Sequence, residues 1–434
     1  MSWREGKPKV ALLWDESFLW GVVSYKALKG AGLPFRLIRA DDVRAGVLTE
    51  CAALFVPGGW ASNKIRALGE LGVSSIRQFV KEGGTYIGFC GGAGLATSDG
   101  LGLLDARRKP TSQRVPSYGG RIRLRLRDDP LWQGIDDPVF HAWWPSQLAV
   151  GEGVSVLATY GEALSDAFSS DLNVGDALSS GGWEELEAYY GINLDPRRML
   201  DEPSVVRGEH GRGTVLLSLI HFDSPGDSNG AVVLRNLWKL IDRDTSLQTA
   251  HQMPSCHSEP SPSPLVEARP RLARTATELK ETVDDLIQLG SRNFLWFEQG
   301  PLMLQWRRGV RGLEYCTLKV LMDELAGLIS GTGAAQCAGP MARPFFRTEQ
   351  IAASAETQLD KIKEMLLPFI DEARLLLLLE RRAMEREKLT FKDTGDPRIQ
   401  KIRERLFSTS KSHGGLFKEV IDLMDALLYM LLTS

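Results

Sequence analysis

The sequence predicts a doubly wound, mostly parallel α/β sheet over residues 1–245, a Pro/Ser-rich linker over 246–270 and a separate all-α helical bundle over 271–434. Three observations carry this reading. Short apolar runs alternate with helical stretches through the first ninety or so residues, the pattern of parallel strands joined by helical crossovers. The segment from Met253 to Pro264 is rich in Pro and Ser, cannot bury a core and separates two halves. Beyond it, apolar residues recur at helical spacing with charges between them.

Lys9-Val10-Ala11-Leu12-Leu13-Trp14 reads as the first strand and 17–30 as the first helix, with Gly30 and Gly32 near its end. Residues 35–38 and 52–56 read as the next two strands, the latter running into Pro57-Gly58-Gly59-Trp60. A helix over 74–82 closes at Gly83-Gly84, and 86–89 form the fourth strand. Ligands of such sheets bind beyond the carboxyl ends of the strands. From Arg121 to Arg127 basic and apolar residues alternate strictly, which predicts a half-buried strand with one cationic face. That strand is either a sheet edge guarded by charge or an anion-facing surface. In the second half, Leu279, Val283, Leu286 and Ile287 share one helix face, and Leu313, Leu318, Leu321, Leu325 and Leu328 another. Stretches at 355–388, 397–407 and 416–432 repeat the pattern, giving a small antiparallel bundle.

The residue with most chemistry is Cys90, in Gly88-Phe89-Cys90-Gly91-Gly92. An apolar strand that ends in Gly-x-Cys-x-Gly before a helical stretch has the form of a nucleophile elbow. The turn demands small neighbours, because the nucleophile takes a strained backbone conformation. A helix N-terminus at that point favours a thiolate. Downstream, an apolar run from Thr214 to Ile220 reads as a strand ending on His221-Phe222-Asp223. A Cys nucleophile needs a base, and the base an orienting carboxylate. Strand periodicity would put His221 and Asp223 on one side. His141, among aromatic neighbours, reads as packing or a pocket wall, and His210 as part of a hairpin turn.

These residues resemble the class I glutamine amidotransferases, whose corresponding downstream element is His-Pro-Glu. More closely, residues 8–243 resemble the amidotransferase-like N-terminal domain of eukaryotic-type biotin–protein ligases. The shared features are the Pro57-Gly58-Gly59 loop, the Gly83-Gly84-Thr85-Tyr86-Ile87-Gly88 strand and the elbow Cys followed by small residues. The resemblance implies a flavodoxin-like sheet, a Cys90–His221–Asp223 triad and an oxyanion hole from the N–H groups of Gly59 (or Gly58) and Gly91. Gly58, Trp60 and Asp15 would line the substrate site, although Asp15 or Glu16 can equally cap a helix. Two departures stand out. His-Phe-Asp replaces His-Pro-Glu, which shortens the acid by one methylene, and residues 165–202 are an insertion without counterpart. Neither a ligase domain nor an ammonia-using synthetase domain is visible in the chain.

Composition bounds the rest. A net charge of -3 makes no general case for nucleic acid. Five Cys, at 51, 90, 256, 316 and 337, form no CxxC pair, so neither a disulfide framework nor a metal site is called for. Cys256-His257 is adjacent rather than spaced for a metal. No cofactor is called for either. The cysteine usage fits a reducing cytoplasm, and no run of about 18 apolar residues calls for a membrane span. The expectation is a Cys-His-Asp amidotransferase or amidohydrolase acting on a small carboxamide, with the helical half available for a protein partner or self-association. A non-catalytic ligand-binding or scaffold protein that keeps the fold stands beside it.

Overall fold

A computed structural model describes residues 9–246, 266–267, 270–331, 345–346, 349–386, 389–390, 394–409 and 412–434. Cys256, His257, Cys337, almost all of the Pro/Ser-rich linker and the loop stretches 332–335 and 340–344 lie outside them. The chain divides into two compact units, Met1–His251 and Gln252–Ser434.

The first unit is built on an eleven-stranded mixed sheet. Strands β1 (Val10–Leu13), β2 (Arg36–Ile38), β3 (Ala53–Val56) and β4 (Thr85–Phe89) are joined by helices α1 (Leu19–Gly30), α2 (Ala40–Arg44) and α3 (Ala61–Lys81). Their strands are almost wholly apolar and buried, as befits parallel strands covered on both sides. They pair in parallel in the order β2-β1-β3-β4. The chain therefore winds one way from β1 to β2 and the other way from β3 onward. That reversal leaves a crevice beyond the carboxyl ends of β1 and β3. Helix α3 starts earlier than its sequence pattern indicated, and Gly69 kinks it with φ 61°.

The other half of the sheet departs from the mostly parallel expectation. After the short helix α4 (Gly91–Ala96) come β5 (Ala106–Arg108), β6 (Tyr118–Leu126), β7 (Val139–Trp143), β8 (Leu148–Val150) and β9 (Ser155–Ala163). The stretch 165–202 supplies β10 (Phe168–Ser169), β11 (Leu172–Asn173), α5 (Val174–Ser180) and α6 (Trp183–Tyr190). Then follow β12 (Pro203–His210), β13 (Gly213–Ser218) and α7 (Ser228–Ser246). β13 joins β4 in parallel, but β12, β9 and β6 extend the sheet antiparallel from it. β5 and β8 form a separate two-stranded ribbon.

The arginine strand is not an edge. β6 has β7 on one side and both β9 and β10 on the other. Its outward arginines are neutralised in turn, Arg121 by Asp166, Arg123 by Asp137 and Arg125 by Asp201. The acids come from loops that the alternation within β6 could not reveal.

The second unit is mainly helical but not all-α. It contains α8 (Pro270–Arg292), α9 (Gly312–Ser330), α10 (Glu349–Arg386), α11 (Pro397–Phe407) and α12 (Gly415–Thr433). β14 (Val266–Glu267) pairs with β17 (Phe345–Phe346), and β15 (Trp296–Gly300) with β16 (Met303–Trp306) as a hairpin. α8 packs on α9 and α10, and α12 packs on the same two helices, through Leu279, Val283, Leu286, Leu318, Leu321, Leu325, Leu366 and Met424. Within this apolar core sits a buried ion pair, Arg403 to Glu380 at 2.7 Å. The Arg403 guanidinium also donates to the carbonyls of Gly309 and Thr390. Removing one partner of such a pair strands a charge in low dielectric. Arg403→Leu is therefore expected to lower unfolding free energy by about 3–5 kcal/mol, while the double change Arg403→Met with Glu380→Leu costs far less. Denaturant titration of the three proteins reads this. Equal losses for single and double variants would show that packing, rather than charge, is what matters.

Candidate active site

The elbow forms because two backbones touch. β3 and β4 lie side by side with Val56 opposite Gly88, so the chain leaves both strand ends at one level. A Cβ on Gly92 would sit 2.0 Å from the carbonyl oxygen of Val56, and one on Gly91 1.8 Å from that of Gly59. One on Gly88 would meet the Gly92 carbonyl at 2.5 Å. No side chain fits at any of the three, which is the physical content of the Gly-x-Cys-Gly-Gly motif. Between them Cys90 takes φ 48°, ψ -105°, a conformation that costs a non-glycine residue about 1–3 kcal/mol. The strain is held by Cys90 N–H donating to Ser218 O (2.8 Å), Gly94 N–H to Cys90 O (3.0 Å) and Tyr86 Oη to Gly92 O (2.7 Å). Cys90 is half-buried, whereas Cys51 and Cys316 are buried.

β13 ends at Ser218, three residues before His221, so strand alternation does not align the histidine and the acid as expected. A tight turn does. The Ser218 hydroxyl donates to Ile220 O (2.8 Å) and accepts from Ile220 N–H (3.1 Å), and His221 N–H donates to His141 O (2.9 Å). His221 and Asp223 are fully buried and joined Nδ1 to Oδ1 at 3.0 Å. The second carboxylate oxygen of Asp223 accepts from the Ser24 hydroxyl of α1. With Nδ1 held in this way, Nε2 is turned to other groups. It makes no aligned hydrogen bond, and the Cys90 sulfur lies within electrostatic reach of the ring. Catalytic pairs in ligand-free sites are commonly loose in this way. Burial opposes a charge on His221, but the carboxylate of Asp223 and the sulfur of Cys90 outweigh it and push its pKa up to about 10.

Gly59 takes φ 111°, and a Cβ there would lie 2.4 Å from Glu16 O. Its nitrogen lies 2.9 Å from the place a Gly91 Cβ would take, so the two expected oxyanion donors belong to touching segments. Gly58 is pressed against the Trp20 indole, 2.7 Å from the same hypothetical atom. Trp60 is half-buried, and its carbonyl opens α3 by accepting from Asn63 and Lys64. Asp15 faces elsewhere: its carboxylate accepts from Ala40 N–H and pairs with Arg39 (3.9 Å), which caps α2. His141 pairs with Asp227 at 2.9 Å and stacks on Trp143, as a wall residue would.

Several residues at the site carried no motif. Trp20 stacks on His221 with ring centroids 4.3 Å apart. It thus ties the Gly58 turn to the imidazole. Fully buried Lys64 donates to Asp15 O (3.1 Å) and Ser17 Oγ (2.5 Å), holding the loop after β1, where Glu16 and Phe18 have positive φ. Arg108 and Tyr160 both lie within the field of the Cys90 sulfur. Only the helical spacing of Trp20 and Ser24 in α1 hinted at a shared face. Lys64 and the others are distant in sequence and met only on folding. Among the described residues no group of three or more His, Cys, Asp or Glu is arranged to hold a metal ion, and no helix is long and apolar enough to cross a membrane.

Residues 46–99 match the model of the family described as biotin-protein ligase, N terminal. The matched stretch holds β3, the Gly58–Gly59 turn, α3, β4 and Cys90. No curated protein matches the chain. Among solved structures, similarity extends to a Thermoplasma acidophilum protein described as one of the subunits of a GMP synthase, with 10% identity and TM-score 0.37, over 56% of this chain and 99% of that one. The β-galactosidase of Rahnella sp. R3 is similar at 15% identity and TM-score 0.34, over 54% of this chain and 31% of the enzyme. That of Bacillus circulans sp. alkalophilus is similar at 15% and 0.34, over 55% and 31%. The chain thus spans about a third of the length of these galactosidases.

The buried pair has a pH signature. The folded-state pKa of His221 is raised, so its charge contributes stability that is complete below about pH 6.5 and lost as pH rises through about 10. The difference in unfolding free energy between the wild type and Asp223→Asn is expected to plateau near 3 kcal/mol in acid and to shrink on the alkaline side. A difference independent of pH would mean that His221 is neutral in the folded protein.

Proposed function

We propose that the first unit is a class I amidotransferase-like domain in which Cys90 is the nucleophile for a small carboxamide, with His221 as proton carrier and Asp223 as its orienting acid. The observation that carries this reading is the arrangement at His221: Nδ1 is fixed by Asp223, Nε2 is buried without an aligned partner, and the Cys90 sulfur lies within electrostatic reach of the ring. The elbow strain at Cys90 supports it, since strained backbone clusters where it serves chemistry.

The chemistry runs in two halves. The thiolate forms a bond to the carbonyl carbon while the C=O π pair moves to oxygen, and the N–H groups of Gly59 and Gly91 receive that oxyanion. Imidazolium Nε2–H protonates the amide nitrogen as the C–N bond breaks, which releases ammonia and leaves a thioester. Water then attacks the thioester carbon and gives a proton to His221. Collapse expels the thiolate and frees the carboxylic acid. The amine can be released to water or passed to a partner protein, for which the second unit offers surface.

The test is the rate of iodoacetamide alkylation at Cys90, resolved by mass spectrometry, in wild type and His221→Ala, followed by a screen of carboxamides for ammonia release. Cys90 is expected to react much faster than the buried Cys51 and Cys316, and His221→Ala to slow it by about tenfold or more at neutral pH. Cys90→Ser should abolish ammonia release. Slow labelling that is indifferent to His221 would leave a ligand-binding protein on this fold.

A further inference from the structure

The loop after β1 carries two strained residues in three positions, Glu16 at φ 55° and Phe18 at φ 45°. Backbone of this kind persists only where its surroundings hold it. The loop rests on the turn after β3. The Glu16 carbonyl oxygen would lie 2.4 Å from a Cβ on Gly59, which itself has φ 111°. The Gly59 carbonyl oxygen in turn would lie 1.8 Å from a Cβ on Gly91. Gly59 therefore touches both the strained loop and the elbow.

The clamp on this loop comes from the first turn of α3. Asn63 and Lys64 donate their backbone N–H groups to Trp60 O at 3.0 and 3.1 Å, so both side chains rise from the turn that follows Gly59. Asn63 is buried and donates from its side chain to Glu16 Oε2 (3.2 Å). Lys64 is fully buried and gives its ammonium to Asp15 O (3.1 Å) and Ser17 Oγ (2.5 Å), on either side of Glu16. Ser17 Oγ passes the tie on to the carbonyl of Leu13, the last residue of β1 (3.1 Å). The stem of the same lysine packs on Gly59, with Cε 3.4 Å from the place a Cβ would take there. Packing alone would be served by an apolar side chain, since taking an ammonium out of water is unfavourable. A lysine is explained here by what its donors hold.

We propose that Lys64 is a positioning residue for the oxyanion site: by pinning Asp15 O and Ser17 Oγ it keeps the strained loop pressed on Gly59 and so fixes where the Gly59 N–H points. This role rests on the reading of Gly59 and Gly91 as oxyanion donors for Cys90. Lys64 acts through Gly59 and touches no substrate. Its influence is confined to reactions that place negative charge on a carbonyl oxygen, because only those use the donor. Displacement at a saturated carbon is indifferent to it. Donor geometry matters on the ångström scale, so a loosened turn lowers the rate while the fold persists.

Two reagents separate these cases at Cys90 in the full chain. p-Nitrophenyl acetate reacts through an oxyanion: the thiolate bonds to the carbonyl carbon, the π pair moves to oxygen, and its return expels p-nitrophenolate and leaves a thioester. Iodoacetamide loses iodide from its methylene carbon and forms no oxyanion. The ratio of acylation to alkylation at Cys90 is measured by mass spectrometry, with the same cysteine in denaturant as reference. The native ratio is expected to exceed the reference by about a hundredfold, and Lys64→Met to lower it by about tenfold with the alkylation rate unchanged. Ser17→Ala removes one of the two acceptors and should lower the ratio by about threefold. Because Lys64 is fully buried, Ser17→Ala tests the role even where Lys64→Met does not fold. A ratio unchanged in the variants, whatever their loss of stability, overturns the role, and so does an equal fall in both rates, which a general loosening of the site would give. A native ratio equal to the reference overturns the oxyanion donors and Lys64 with them. His221→Ala is read in the same assay: if it slows both reagents while the ratio ignores Lys64 and Ser17, the nucleophile stands and the positioning role falls. If the ratio follows Lys64 while His221→Ala changes neither rate, the positioning role stands and His221 as proton carrier falls.

Discussion

Everything at this site depends on how closely two backbones approach at the ends of β3 and β4. Three glycines at the elbow and two in the turn after β3 let the segments meet at distances no Cβ permits. The contact forces Cys90 into its strained conformation and raises the sulfur above the sheet. It also places the nitrogen of Gly59 2.9 Å from where a Cβ on Gly91 would sit. A single methyl group at Gly91 or Gly92 would push the strand ends apart.

The imidazole is positioned by a different principle, a chain of contacts across two turns and helix α1. Asp223 holds Nδ1, Ser24 of α1 holds Asp223, Trp20 of the same helix lies on the ring, and Gly58 leaves room for Trp20. Helix α1 thus braces both Asp223 and His221 from one face, through side chains four residues apart. α4 has only six residues, so its dipole is weak at the elbow.

Charge is handled in two ways in the first unit. On β6, three arginines point outward and each meets an acid, which leaves a neutral surface. Arg108 and Arg114 meet none among the described residues, and Arg114 is buried. Exposed pairs of the first kind add little to stability, whereas a buried cation without an anion is unfavourable.

The sequence by itself determined the parallel half of the sheet and the residues that carry chemistry. Apolar runs such as 52–56 and 86–89 have no alternative to a buried strand, and the Gly-x-Cys-Gly-Gly spacing answers to steric limits local to one turn. It also marked His221 and Asp223, although not the reason they meet, since β13 ends earlier and a serine-stabilised turn aligns them. Tertiary structure alone decided the antiparallel half, where β6 is interior because distant strands flank it on both sides. It likewise assigned Asp15 to the N-terminus of α2 and brought Trp20, Ser24 and Lys64 to the site. The physical reason is range. Steric and periodic constraints act between neighbours and leave a mark in the order of residues, while ring stacking, a buried lysine and an unpaired arginine gain meaning only from groups that lie far away in the chain.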